Sequence, residues 1–334
     1  MSTPAIDVVT IGESLVSVLP ITNGTLQYAP LLTRAVAGAE SNVAITLSRL
    51  GLKTRWISRL GTDPFGDVIL GTLLGEGVDT SCVVREANAP TAIMFRENRG
   101  YGDPNVWYYR RGSAASKFSP QDVQPSWFEN ARHLHVTGIT PALGENTFEM
   151  LVEAMQQART AGLTISFDPN VRRKLWDEST LWHESTAREK LLHLTTLCDI
   201  VLPGLDEAQW LLNTNNRDEM ASQFLQRGAS LVVFKLGEQG TSAFTASGQF
   251  DVPAYPIERV IDSVGAGDAF AAGLLSVLLA EDKVLWASRD VLERALRRAS
   301  LMGALATQFA GDWEALPRRK EVERLEAGMN LVSR

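Results

Sequence analysis

Short apolar runs alternate with longer stretches of helical spacing along most of this chain. Ile6–Ile11, Arg55–Leu60, His133–Val136, Thr164–Phe167, Ile200–Leu202 and Leu231–Phe234 are the short runs, and most end in Gly, Asp or Pro. That pattern predicts strands that hand the chain to a loop at one edge of a sheet. Between them, Ser41–Leu50, Phe65–Glu76, Thr147–Ala161, Arg188–Leu197, Asp206–Leu212 and Asp218–Arg227 read as helices. Alternation of this kind implies an α/β fold, with a mainly parallel central sheet and helices on both faces.

Two segments break the rhythm. Ser14–Val36 and Thr91–Arg111 carry β-formers and turn residues without helical periodicity. Within the second, Ala92–Arg96 and Val106–Arg110 predict a hairpin around a long turn. The two excursions read either as one small sheet over a pocket or as ordinary surface loops. No internal repeat, linker or low-complexity tract interrupts the 334 residues.

Composition narrows the partners. With 45% hydrophobic and 21% charged residues the chain can build a large core, and disorder is not expected. A net charge of −7 argues against a general nucleic-acid binder, which needs clustered Lys and Arg, but leaves room for a local basic pocket. No apolar stretch approaches the roughly 18 residues of a spanning helix, and no basic and apolar leader opens the chain. Cys82 and Cys198 form no CxxC pair and suit a reducing, cytoplasmic setting. The four histidines show no metal-ligand spacing.

The candidate chemistry lies in Asp262-Ser263-Val264-Gly265-Ala266-Gly267-Asp268-Ala269-Phe270, followed by the small-residue helix Ala271-Ala272-Gly273-Leu274-Leu275. Two glycines allow a tight turn that brings free N–H groups near a ligand, and a helix starting there adds the positive end of its dipole. Such a site suits the negative charge that develops in phosphoryl transfer. Asp268 would then be a base, or else a simple helix cap. The small residues imply that something approaches the helix closely. GxxxxGK[ST] is absent, and the spacing does not fit GxGxxG.

This run resembles the C-terminal signature of the ribokinase-like, or PfkB, family of carbohydrate kinases. A counterpart of its N-terminal signature stands at Ala37-Gly38-Ala39-Glu40-Ser41-Asn42-Val43-Ala44, with Gly61-Thr62-Asp63-Pro64-Phe65-Gly66 further on. Gly12-Glu13-Ser14, Tyr108 to Ala114 and Phe167-Asp168-Pro169-Asn170-Val171-Arg172 are most similar to the family's 2-keto-3-deoxygluconate kinases.

The resemblance implies a Rossmann-type α/β body from residues 1–13, 37–90 and 112–334, and a β lid from 14–36 and 91–111 over a sugar site. It implies ATP as phosphoryl donor with Mg²⁺, and a monovalent cation such as K⁺ could assist. Asp268 would take the proton of the attacking hydroxyl, and the amides of Gly265, Ala266 and Gly267 would hold the transition-state charge. Gly38, Asn42, Asn98, Tyr108, Arg110 and Arg172 would contact the sugar. The two arginines offer planar forks suited to a carboxylate.

Lys235, Gly237, Gly240 and Ser300 would join the 265–267 turn in binding ATP, and Glu207 would organise water around Mg²⁺. Gly204 and Ser300 stand where many relatives have Asn. Three activities stay open at this point: a sugar-acid kinase, a kinase for a neutral sugar or nucleoside, and a sugar-binding regulator without turnover. The lid strands could also pair copies of the chain into a homo-oligomer.

Overall fold

In a computed structural model, which describes residues 6–22, 24–97, 99, 104–178 and 184–329, the apolar runs lie side by side in one large sheet. The strands are β1 (Ile6–Ile11), β2 (Leu15–Pro20), β3 (Leu32–Ala37), β4 (Thr54–Ile57), β5 (Arg59–Gly61), β6 (Val84–Glu86) and β7 (Ile93–Glu97). There follow β8 (Asn105–Tyr109), β9 (Ala131–Thr137), β10 (Thr164–Asp168), β11 (Ile200–Val201), β12 (Leu231–Lys235), β13 (Thr241–Thr245) and β14 (Gly248–Val252). The helices are α1 (Ala39–Arg49), α2 (Pro64–Gly75), α3 (Glu145–Thr160), α4 (Arg173–Glu178) and α5 (Glu184–Thr195). The later ones are α6 (Leu205–Leu212), α7 (Arg217–Gln226), α8 (Ala266–Leu278), α9 (Arg289–Ala306) and α10 (Arg319–Glu326).

Eight strands form the main sheet in the order β14-β13-β12-β11-β10-β9-β1-β4. From β4 to β12 every neighbour is parallel, and β13 and β14 close one edge antiparallel. Successive residues of a strand point to opposite faces, and here both faces are buried. Val201 and Val232 join the core under α3, α5, α6 and α7, while Ile200 and Val233 join the opposite core under α8 and α9. This double burial is why the strands read as mainly apolar runs.

The buried His133 and His135 are ring-bonded to the hydroxyls of Thr164 and Ser166 at 2.7–2.8 Å. Burial keeps both imidazoles neutral, with His135 pushed down to about 3. Gly273 shows what the small-residue run of α8 serves. A Cβ there would stand 2.9 Å from the Arg298 carbonyl and 3.0 Å from Ala299 Cα, so it is α9 that packs against it.

The two excursions do pair, in a separate sheet of order β3-β2-β7-β8. β7 and β8 form the expected hairpin, with Met94 opposite Tyr108 and Arg96 opposite Val106. One expected strand needs correction. Arg55–Leu60 divides at Ser58, whose buried hydroxyl donates to the Gly12 carbonyl at 2.7 Å. β4 before it pairs with β1, whereas β5 after it turns away to pair with β6. Among the described residues no helix is long and apolar enough to cross a membrane.

Candidate active site

Ligands gather at the carboxyl ends of parallel strands, where the backbone leaves the sheet and side chains become free. Here β1 ends at Gly12-Glu13-Ser14, β10 at Asp168, and β12 at Lys235. The N-termini of α1 and α8 meet through Asn42, whose Nδ2 donates to Asp268 Oδ2 at 2.8 Å and to Asp312 Oδ2 at 3.1 Å. Residues 226 and 270 positions from Asn42 in sequence thus share one amide group.

Gly38 is the N-cap of α1 at φ 156°, and a Cβ on it would lie 2.6 Å from the Glu13 carbonyl and 2.8 Å from the Ser14 hydroxyl. Only glycine lets the helix start so close to that turn.

Asp268 lies in the first turn of α8 and is buried. Burial pushes its carboxyl up to about 7; Asp168 and Asp312 push the same way, while the Asn42 bond and the Arg172 charge oppose them. Asp312 is raised by burial to about 6. A carboxyl poised near neutrality can accept a proton from an alcohol that is losing it.

The turn before α8 has Gly265 at φ 75°. A Cβ on Gly265 would fall 2.1 Å from the Asp312 carbonyl. The amides of Gly265 and Gly267 make no hydrogen bond among the described residues, while that of Ala266 reaches the Ser263 carbonyl at 3.4 Å. Such unbonded groups at a helix start attract negative charge.

Lys235 stands beside them: a Cβ on Gly267 would lie 3.5 Å from its Nζ, which donates to Asp168 Oδ2 at 2.6 Å. Burial lowers the affinity of this amine for its proton, but Asp168, Glu207 and Asp268 more than offset that and hold it above its ordinary value.

A cavity of about 330 Å³ opens from this turn and gathers Lys235, Gly237, Gly240, Ala266, Gly267 and Ser300. Its remaining wall includes apolar Tyr255, Ile257, Val260 and Phe270. Charged Lys235 and Glu238 thus share the cavity with a mainly apolar wall. The Ser300 hydroxyl accepts from the Tyr255 amide at 3.2 Å, holding the cavity wall to α9.

Glu207 accepts from the amides of Val171 (2.7 Å) and Gly204 (2.7 Å), one on each carboxylate oxygen. Gly204 is therefore a backbone cap partner at the start of α6, a position that needs no side chain. Among the described residues no set of three or more His, Cys, Asp or Glu side chains gathers as a metal cluster.

On the small-sheet side, Arg110 lies over the Tyr108 ring at 5.3 Å and pairs with Glu13 at 2.5 Å, with side chains 10% and 1% exposed. Glu13 also accepts from the Ser113 hydroxyl at 2.5 Å. The guanidinium charge is therefore already balanced, which composition and motif do not reveal. Arg172 is exposed, has no ion pair among the described residues, and its charge is felt by Asp268. Asn98 lies outside the described residues.

Asp312 and the Glu13–Arg110 pair escape sequence reasoning. Asp312 sits in an unremarkable Gly-Asp-Trp tract, and only folding sets it against Asn42.

Residues 5–319 match the pfkB family of carbohydrate kinases, and the chain belongs to that family. It is 38% identical to a 2-dehydro-3-deoxygluconokinase of Bacillus subtilis (strain 168), over 98% of this chain and 97% of that one. A 2-dehydro-3-deoxygluconokinase of Thermoproteus tenax is 33% identical over 96% and 94% of the two chains. Fructokinase-1 of Oryza sativa subsp. japonica is 31% identical over 95% and 97%.

Among solved structures, a PfkB protein from Polaromonas sp. JS666 superposes with a TM-score of 0.84 at 38% identity, covering 96% of this chain and 99% of that one. A fructokinase from Xylella fastidiosa with bound ATP gives a TM-score of 0.84 at 27% identity, covering 96% and 98%. The protein is a carbohydrate kinase.

A first prediction concerns pH. As a base Asp268 must be ionised, so kcat/KM for the sugar should rise with pH and level off above about 7. Asn42→Ala removes a bond that favours the ionised form, so the acid limb should move to higher pH. A limb unchanged in that variant would show that a different group sets it.

Proposed function

We propose that the chain transfers the γ-phosphoryl group of ATP to a hydroxyl of a sugar acid of the 2-keto-3-deoxygluconate type, giving the 6-phosphate. The observation that carries this reading is Asp268, a buried carboxyl raised to about 7 beside the unbonded amides of Gly265 and Gly267. The attacking hydroxyl would lie against Asp268 and pass its proton to Oδ1 or Oδ2 as the O–P bond forms. The bond from phosphorus to the bridging oxygen breaks, and ADP leaves with the electron pair.

Backbone amides at 265–267 and the Lys235 ammonium would balance charge on the transferring group, where fixed donors need no reorganisation. The apolar slot lined by Tyr255 and Ile257 fits a nucleoside base, and Gly237 and Gly240 let backbone pass close to it. Mg²⁺ would be held mainly by the phosphates of ATP. Asp168 and Glu207, the acids that face Lys235, are occupied by Lys235 and by two amides, so they would reach the ion through water. The small sheet acts as the lid in this reading, and its outer strands suit self-association.

Arg172, with Tyr108 and Arg110, would read the substrate carboxylate, in keeping with the two relatives named for a sugar acid. A neutral sugar is the second reading, because Glu13 already balances Arg110, and fructokinases are among the relatives. ATP-dependent phosphorylation across a panel of 2-keto-3-deoxy sugar acids, fructose and ribose separates them. Arg172→Ala should lower kcat/KM for the sugar acid by about 10- to 100-fold, the worth of a charge-assisted bond, and leave neutral sugars unaffected. Equal turnover of fructose by the unaltered enzyme would favour the neutral sugar.

A further inference from the structure

Arg96 belongs to β7 of the small sheet, yet its guanidinium crosses to the turn that precedes α8. Its Nη2 lies 2.7 Å from Asp262 Oδ2, and the two side chains are 5% and 2% exposed. Nη1 and Asp262 Oδ2 make no hydrogen bond among the described residues, so the two side chains meet as a buried ion pair, and the opposite charge of Asp262 is what offsets burying this cation.

Asp262 in turn shapes the backbone. Its Oδ1 accepts from the Val264 amide at 3.2 Å. The amides of Ile261 and Asp262 bond the Thr307 carbonyl, at 2.8 and 3.3 Å. Segment 261–264 is thus anchored to the end of α9 on one side and to the small sheet, through Arg96, on the other. Among the described residues Arg96 is the ion-pair partner of Asp262, and burying that carboxylate alone would be costly.

The charge of Arg96 also reaches further. It lowers the proton affinity of Asp312, which shares the Asn42 amide with Asp268. One side chain of the small sheet therefore bears on both the turn with the free amides and the carboxyl beside it. Arg96 faces Val106 across the same ribbon that sets Met94 against Tyr108 and runs on to Arg110.

We propose that Arg96 is a positioning residue for phosphoryl transfer: by holding Asp262 it sets the 265–267 amides in register with Asp268 and ties them to the sheet that covers the sugar. This rests on reading the 265–267 turn as the anion hole. A loop displaced by about an ångström loses about 100-fold in rate even where substrate still binds. The consequence belongs in kcat, with substrate affinity largely retained.

The experiment compares Arg96→Ala and Arg96→Lys with the unaltered enzyme, using ATP and the sugar that the panel assay selects. Arg96→Ala should lose about 100-fold in kcat with sugar KM within about threefold. Guanidinium ion at sub-denaturing concentration should restore at least about tenfold of the loss by re-entering the vacated space. It should do nothing for Asp268→Asn. Arg96→Lys, which keeps the charge on a different frame, should fall between.

If Arg96→Ala fails to fold, the pair Arg96→Gln with Asp262→Asn removes both charges together and should show the same loss in kcat. A kcat within about twofold of the unaltered enzyme, in either variant, overturns the proposal, as does a loss confined to KM. An unaltered protein that phosphorylates no sugar defeats the anion-hole reading instead.

Discussion

Asp268→Asn should lower kcat by about 10²- to 10⁴-fold, the range spanned by loss of a general base, while sugar and ATP affinities stay within about threefold. The substitution keeps the shape of the side chain and one oxygen acceptor, so the Asn42 contact at 2.8 Å can persist. What disappears is the capacity to take a proton. Burial and neighbouring carboxyls hold the native group near 7, well above an ordinary aspartate and close to the range where a carboxyl can take up a proton. Steady-state kinetics with calorimetric binding separates the two quantities. Comparable losses in binding and in kcat would mean that Asp268 mainly supports the turn.

Gly265→Ala should be the second large effect, for a different reason. The backbone there is left-handed, at φ 75°, which costs a non-glycine residue roughly 1–2 kcal/mol. The added carbon would also stand 2.1 Å from the Asp312 carbonyl, a distance no packed carbon tolerates. Either the turn or the 312 segment must move. Both carry parts of the site, so kcat should fall by about 100-fold and the protein should lose at least about 2 kcal/mol of stability. Thermal unfolding and turnover of the purified variant test this together. A native rate with lowered stability would show that the amides of the turn are not required where they stand.

The α/β class was legible because each core strand is buried on both faces. Ile200 and Val201 point to opposite cores, so apolar residues dominate the run, and buried polar exceptions such as His133, His135 and Ser166 bond one another. The antiparallel pair β13 and β14 was not legible in the same way. β14 lies at the sheet edge with exposed Gly248, Gln249 and Asp251, and its composition resembles a loop. The break at Ser58 also had no local signal, since it depends on a hydrogen bond to Gly12, 46 positions earlier.

Within the candidate site, the chain by itself determined the kinds of group available: a glycine turn, an acid at a helix start, and arginines on a hairpin. Local sequence dictates these because backbone freedom and helix polarity act over a few residues. Only the tertiary structure decided which charges are spent and which remain. Arg110 is balanced by Glu13, Asp168 by Lys235 and Asp262 by Arg96, whereas Arg172 has no ion pair among the described residues. Electrostatic balance in a low-dielectric interior depends on distances between residues far apart in sequence, and folding alone sets those distances.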